Sequence, residues 1–361
     1  MYSPAEKTSE RSLVLITGAS GYIGGYVAKD ALKAGYSIRL TARTPKVETL
    51  RKEYGSEAEI VPLDDIVSGD YSEALEGVSA IIHLASPLPA SGKHEVAASE
   101  HLRFSLDGTM NLLRQGAAMG VKKMIICSSI LAVTDMDNMQ NAFNSNHTYT
   151  AEDWNPTTTK VLLGSEHHPW WVYGASKAIA EREVWKFANE HPEIDFTVFQ
   201  PGFVYGPTSG VSIPPRGSSE IPSTPFLLYS NIFKLPFKTG FPPVVPLSVD
   251  VRDCARAHVL ALSAPPSTEV GRKRLLLSAP SFTWAQAVEH LRTVRPELRE
   301  RLLSEAEINE TYGAMPIGGV ARVDCERAKE VLGFSEFISW QKMVEDCVDD
   351  LLEVEKGWKF D

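Results

Sequence analysis

The chain has 361 residues, of which 43% are hydrophobic and 23% charged, and a formal net charge of −10. With no block of Lys and Arg to offset it, that charge repels a phosphate backbone and argues against nucleic acid as a partner; no run reaches the roughly 18 apolar residues of a membrane span. Met1–Arg11 has neither a secretory nor a transit pattern and reads as a disordered tail, which makes the cytoplasm the expected compartment. The four cysteines, Cys127, Cys254, Cys325 and Cys347, lie far apart with no C-x-x-C, so reduced core thiols are expected and no metal site.

The first apolar β-rich run, Leu13–Thr17, leads into Gly18-Ala19-Ser20-Gly21-Tyr22-Ile23-Gly24 and then an amphipathic stretch, Ile23–Ala34. Strand, glycine turn and helix in that order suit a dinucleotide: Gly18 and Gly21 admit a pyrophosphate, the helix N-terminus meets its charge, and Gly24 permits close helix–strand packing. The second strand, Ser37–Ala42, ends in Arg43 with Lys46 behind it, where an NAD-selective protein offers an acid to the ribose 2′-hydroxyl. A guanidinium matches a 2′-phosphate instead, so NADP(H) is the expected cofactor. After the third strand, Glu59–Pro62, the residues Asp65 and Ile66 are candidates to hold the adenine, with Asp64 an equally plausible acceptor. Leu84, Ala85 and Ser86, ending the fourth strand Ala80–Leu84, should line the cofactor trough, with His83 packed rather than catalytic.

A helix over Ser99–Ala118 and a fifth strand, Lys123–Cys127, follow, and the strand delivers Ser128-Ser129 to the carboxyl edge of the sheet. On the next helix, Tyr173–Asn189, the i,i+4 spacing puts Tyr173 and Lys177 on one face. The set has a chemical logic: Ser129 binds a substrate oxygen, Tyr173 moves a proton, and Lys177 lowers the phenol's pKa and can bind the nicotinamide ribose. A sixth strand, Asp195–Gln200, precedes a proline-crowded stretch from Pro207 to Pro246, which should form irregular walls around a substrate, and Arg274–Leu277 reads as a late strand returning to the sheet.

The predicted architecture is α/β, a doubly wound parallel Rossmann sheet with a smaller, discontinuous substrate-binding lobe. Residues 1–10 form the tail, 11–202 the dinucleotide-binding domain to which a strand near 272–278 returns, and 203–361 mainly the lobe.

Through Thr17–Gly24, His83–Ser86, Ser128-Ser129, Tyr173–Lys177 and Pro201-Gly202-Phe203-Val204-Tyr205-Gly206-Pro207, the chain from Leu13 to about Leu262 resembles the extended short-chain dehydrogenase/reductase superfamily, of NAD-dependent epimerase/dehydratase type. Thr41-Ala42-Arg43, Glu152-Asp153-Trp154 and Tyr173–Glu181 are similar to the dihydroflavonol reductase-like group, which includes fungal carbonyl, methylglyoxal and ketone reductases. The resemblance implies catalytic roles for Ser129, Tyr173 and Lys177, places Pro201, Gly202 and Val204 beside the nicotinamide, and makes Val249–Asp253 structural. Two departures stand out: Ser105 where many members carry Asn, and a long spacing from Ser129 to Tyr173 that implies a lid-side insertion at Asn138–His147.

The expected activity is reduction of a small-molecule aldehyde or ketone by NADPH. A nucleotide-sugar epimerase or dehydratase shares the cofactor site and the Tyr/Lys pair, but Phe203 stands where such enzymes carry the Asn that contacts the sugar nucleotide. Phe226, Phe233, Phe237 and Phe241 likewise suggest an apolar pocket, although core packing is the commoner use of such rings. A non-enzymatic dinucleotide sensor on the same fold has no need of the Tyr/Lys pair.

Overall fold

The computed structural model describes residues 12–86, 96–138, 141–208, 224–235, 246–312, 320–334 and 336–356. The tail at 1–10, most of the proline-crowded stretch, and Phe237 and Phe241 lie outside them.

Seven parallel strands make the central sheet: β1 Leu13–Thr17, β2 Ser37–Ala42, β3 Ala58–Pro62, β4 Ala80–His83, β5 Lys123–Cys127, β6 Asp195–Pro201 and β7 Lys273–Leu277, in the order β7-β6-β5-β4-β1-β2-β3. The order reverses beside β1, which opens a crevice at the carboxyl ends of β1 and β4, where ligands bind in such sheets. Register follows from the apolar runs, with Ile16 opposite Leu40 on one side and Ile82 on the other.

Because side chains alternate along a strand, both faces of the sheet are apolar and both are covered. Val14 and Ile16 enter a core shared with helices α1 (Tyr22–Lys33) and α2 (Thr44–Tyr54), whereas Leu15 enters one shared with α3 (Ala98–Ala118) and the end of α4 (Pro169–Glu190). The fold is therefore the doubly wound Rossmann arrangement.

A third core draws on α5 (Thr224–Ile232), α7 (Trp284–Val294) and α8 (Trp340–Glu355), around Tyr229, Phe233, Trp284 and Val348. Phe226 and Phe233 are spent on this core and do not line the crevice. Helix α6 (Val251–Leu260) packs instead on the sheet with α1, as do Ala328, Val331 and Phe334, so the stretch after residue 202 alternates between the two units. The described part of the Asn138–His147 insertion is anchored: Ala142 is buried, and the adjoining Thr148–Tyr149 pairs in parallel with Arg322–Val323.

Candidate active site

The crevice has a volume of about 760 Å³ and is lined by the carboxyl ends of the strands. Its floor is the glycine turn. Gly18 has φ +77°, a region costly for any side chain, and a Cβ there would lie 2.7 Å from the Ala85 nitrogen. A Cβ on Gly24 would overlap the Gly18 carbonyl oxygen. No side chain caps α1 and no acid occupies its first turn, so its leading N–H groups and positive dipole end are left for an anion. This cradle, which a Cβ would fill, fits a dinucleotide pyrophosphate.

Thr17 ties the glycine turn to the end of β4. Its hydroxyl oxygen accepts from the N–H groups of Leu84 and Ala85, both at 3.2 Å, so its single proton goes to His83 Nδ1 at 2.8 Å. The imidazole is then the Nε2–H tautomer, donating to Thr109 Oγ1 at 3.1 Å, and Thr109 donates on to the Ser105 carbonyl. Burial, followed by the nearby Lys177 ammonium, holds His83 neutral, with its pKa down to about 3. On α6, burial takes His258 down to about 4.

Acid should destabilise the fold through these two histidines. Both folded-state pKa values lie below the ordinary histidine value, so their stabilisation is complete above about pH 6.5 and is lost as pH falls from there towards 4 and 3. Urea midpoints compared at pH 7 and pH 5 should fall, by about 2 kcal/mol of unfolding free energy for each histidine. An unchanged midpoint would show that these histidines are not buried neutral.

Arg43 and Lys46 both line the crevice beyond β2. Asp64 lines it too, but its carboxylate is engaged, accepting from the Thr44 N–H and hydroxyl at 2.7 Å each. Asp65 is not among the lining residues. Its carboxylate closes an Asx turn, accepting from the Val67 N–H at 2.8 Å and from the Ser68 hydroxyl, so its neighbour Ile66 alone of that pair reaches the crevice. The remaining cofactor candidates, Ser20 to Ile23, Leu84 to Ser86, Pro201, Gly202 and Val204, all line it.

Ser129, Tyr173 and Lys177 all line this crevice. Ser129 follows β5 in extended conformation, its hydroxyl accepting from the Leu131 N–H at 3.2 Å and lying near enough to the Tyr173 phenol to pull its pKa down. The Lys177 ammonium donates to the Cys127 carbonyl at 2.8 Å. The phenol stands above its ordinary pKa: burial dominates, the Cys127 sulfur adds to it, and the Ser129 hydrogen bond opposes it. Lys177, expected to bring the phenol down, is not among the groups that shift it; desolvation is the largest cause and raises it. Burial also lowers Lys177 itself, against the opposing influence of Cys127 and Glu181.

Trp170 was not singled out in the sequence, yet it lines the crevice one turn before Tyr173, its ring 6.1 Å from the phenol and 5.8 Å from Phe203. The i,i+3 spacing from Tyr173 was the available signal. Ser105, by contrast, is buried outside the lining. Among the described residues no three metal-ligating groups cluster, and no helix is long and apolar enough to cross a membrane.

A doubly wound sheet with a glycine cradle at its switch point and a Ser/Tyr/Lys cluster beside it defines a dinucleotide-binding protein with groups for proton transfer. The model of the NAD dependent epimerase/dehydratase family matches residues 14–223, more than half of the chain, and the chain belongs to that family. It is 30% identical to ketoreductase adrE of Penicillium rubens over 79% of its own length and 81% of that protein's. It is 28% identical to aldehyde reductase 2 of Sporidiobolus salmonicolor, over 80% and 82% of the two chains. In fold it is similar to yeast methylglyoxal/isovaleraldehyde reductase Gre2, solved with NADPH, at a TM-score of 0.78 and 22% identity, over 95% of this chain and 99% of that one.

Proposed function

We propose that the chain is an NADPH-dependent reductase of a small aldehyde or ketone. The observation that carries this reading is the meeting of Ser129, Tyr173 and Lys177 in the crevice that also contains the glycine cradle. Relatives named as a ketoreductase and an aldehyde reductase support it. NADPH, when bound, supplies the hydride. The Ser129 and Tyr173 hydroxyls hold the carbonyl oxygen, and Tyr173 gives it a proton as negative charge develops there. A phenol held above its ordinary pKa is fully protonated near neutrality, the form that reduction requires. Once the proton has left, the Lys177 ammonium offsets the phenolate charge. Trp170, Phe203 and Leu131 form the apolar wall that keeps water from this step.

A sugar diphosphate would meet that wall rather than polar partners, which disfavours the epimerase reading. The test is NADPH consumption over a panel of aldehydes, β-keto esters and aryl ketones, with UDP-glucose interconversion followed in parallel. Turnover of carbonyls alone supports the reading, and enzyme-like conversion of UDP-glucose alone overturns it.

Arg43 and Lys46 set the cofactor preference in this account. Charge-assisted contacts to a 2′-phosphate contribute about 1.5–3 kcal/mol, so kcat/KM should favour NADPH over NADH by roughly 10- to 100-fold. Arg43→Ala should remove most of that ratio while leaving the NADH rate near its starting value. Equal efficiency with both cofactors in the unaltered protein would sink the assignment.

A further inference from the structure

Beneath the Ser129/Tyr173/Lys177 cluster lies a second polar cluster to which the proposed mechanism assigns no part. Glu181 follows Lys177 by one turn of α4 and is 2% exposed. One carboxylate oxygen accepts from Arg274 Nε of β7 at 2.7 Å, from Gln200 Nε2 of β6 at 2.8 Å and from Trp185 Nε1 at 3.3 Å. The other accepts from the Ser128 hydroxyl at 2.5 Å. Arg274 is 3% exposed, lies 3.7 Å above the Trp154 ring and donates to the carbonyls of Asp153 and Ala151.

Ion pairs this deeply buried are costly to desolvate, and apolar residues of similar shape often hold a fold as well, so stability alone is a weak reason for this one. Its placement suggests another. Ser128 and Ser129 are consecutive residues, and in extended chain consecutive side chains point to opposite sides, so anchoring Ser128 on Glu181 directs the Ser129 hydroxyl towards the phenol. On the other side, Glu181 is the carboxylate one helical turn from the Lys177 ammonium.

Resting on the reductase reading for its catalytic consequence, we propose that Glu181, held by Arg274, is a positioning residue of the active site: it aims Ser129 through Ser128 and keeps Lys177 charged. The groups facing Lys177 are Cys127 on β5, His83 on β4, and Tyr173 and Glu181 on its own helix. Among them Cys127, whose thiol burial pushes up to about 11, is uncharged near neutrality, which leaves the Glu181 carboxylate, ion-paired with Arg274 at 2.7 Å, as the counter-charge.

The test reads Lys177 directly, with no need of turnover. Labelling by trinitrobenzenesulfonate, localised to Lys177 by peptide mass spectrometry, is followed against pH in the full chain. Glu181→Gln, which keeps shape and removes charge, should lower the pH of half-maximal labelling and raise the rate at pH 8 by about tenfold, the change produced by one pH step in the amine's titration. Because Glu181→Gln leaves Arg274 buried without its counter-charge and can fail to fold, the doubly neutral Glu181→Gln/Arg274→Gln chain is measured as well. It should recover the melting temperature but keep the shifted labelling profile. With the best carbonyl substrate, both variants should lose kcat by about tenfold or more with KM for NADPH little changed. A labelling profile identical to wild type in a folded variant, or a doubly neutral chain restored to wild-type kcat, would overturn the proposal. If wild type reduces no carbonyl, the reductase reading fails, while the labelling profile still decides whether Glu181 keeps Lys177 charged.

Discussion

Tyr173→Phe is expected to reduce kcat by about 10²–10⁴, the usual worth of a positioned general acid, while NADPH still binds. The substitution removes one oxygen from a half-buried ring whose neighbours, Trp170 at 6.1 Å and His101 at 5.9 Å, pack edge-on against it, so the ring itself should stay in place. What is lost is the proton that the phenol retains near neutrality, since its pKa is held above the ordinary value. Fluorescence titration with NADPH separates binding from turnover. A variant that binds normally and still reduces its best substrate within a few-fold of wild type would remove Tyr173 from the mechanism.

Gly24→Ala should abolish NADPH binding and destabilise the fold together. The added methyl would overlap the Gly18 carbonyl oxygen and lie 2.8 Å from the Ala19 Cα, both backbone atoms that no rotamer change can move aside. Relief requires α1 to draw away from the glycine turn, which opens the cradle that receives the pyrophosphate and costs about 1–3 kcal/mol by analogy with other overpacked sites. Gly25→Ala is the control, since its Cβ would meet nothing nearer than the Ala19 oxygen at 3.7 Å. Thermal melts and NADPH titrations of the two variants should diverge sharply. A Gly24→Ala chain with wild-type affinity would mean that the cradle is not where the cofactor phosphates sit.

Most strands of the sheet were legible because they are short, largely apolar and largely buried runs bounded by turns, although the edge strand β3 exposes Glu59 and Pro62, and their ends carried the glycine cradle and Ser129. Local pattern was less informative wherever the partners are distant in sequence. The second lobe's core joins Phe233, Trp284 and Val348, and nothing in any one of these segments names the others. Helix α8 was missed although Val344, Val348 and Leu351 recur at helical spacing, and the reading of 203–361 as mainly one lobe could not show α6 returning to the sheet. Glu181 was read only as part of a family motif, since Arg274, Gln200 and Ser128 reach it from three different strands or strand ends. Asp65 shows the opposite case, in which local chemistry intervened: a carboxylate two residues before a free N–H closed an Asx turn on Val67 and was withdrawn from the crevice. The relation of Lys177 to Tyr173 was drawn from spacing, but burial, which spacing does not reveal, dominates the phenol, and Lys177 is not among the groups that shift it.

Isotope transfer tests the central claim most directly. The purified chain is incubated with NADPH deuterated at the transferable C4 position and with an aryl ketone, and the alcohol is examined by mass spectrometry and NMR. The account predicts one deuterium on the carbinol carbon, a product of single configuration, and no such product from Tyr173→Phe on the same timescale. Absence of deuterated alcohol across the carbonyl panel, with UDP-glucose converted by the same preparation, would contradict it.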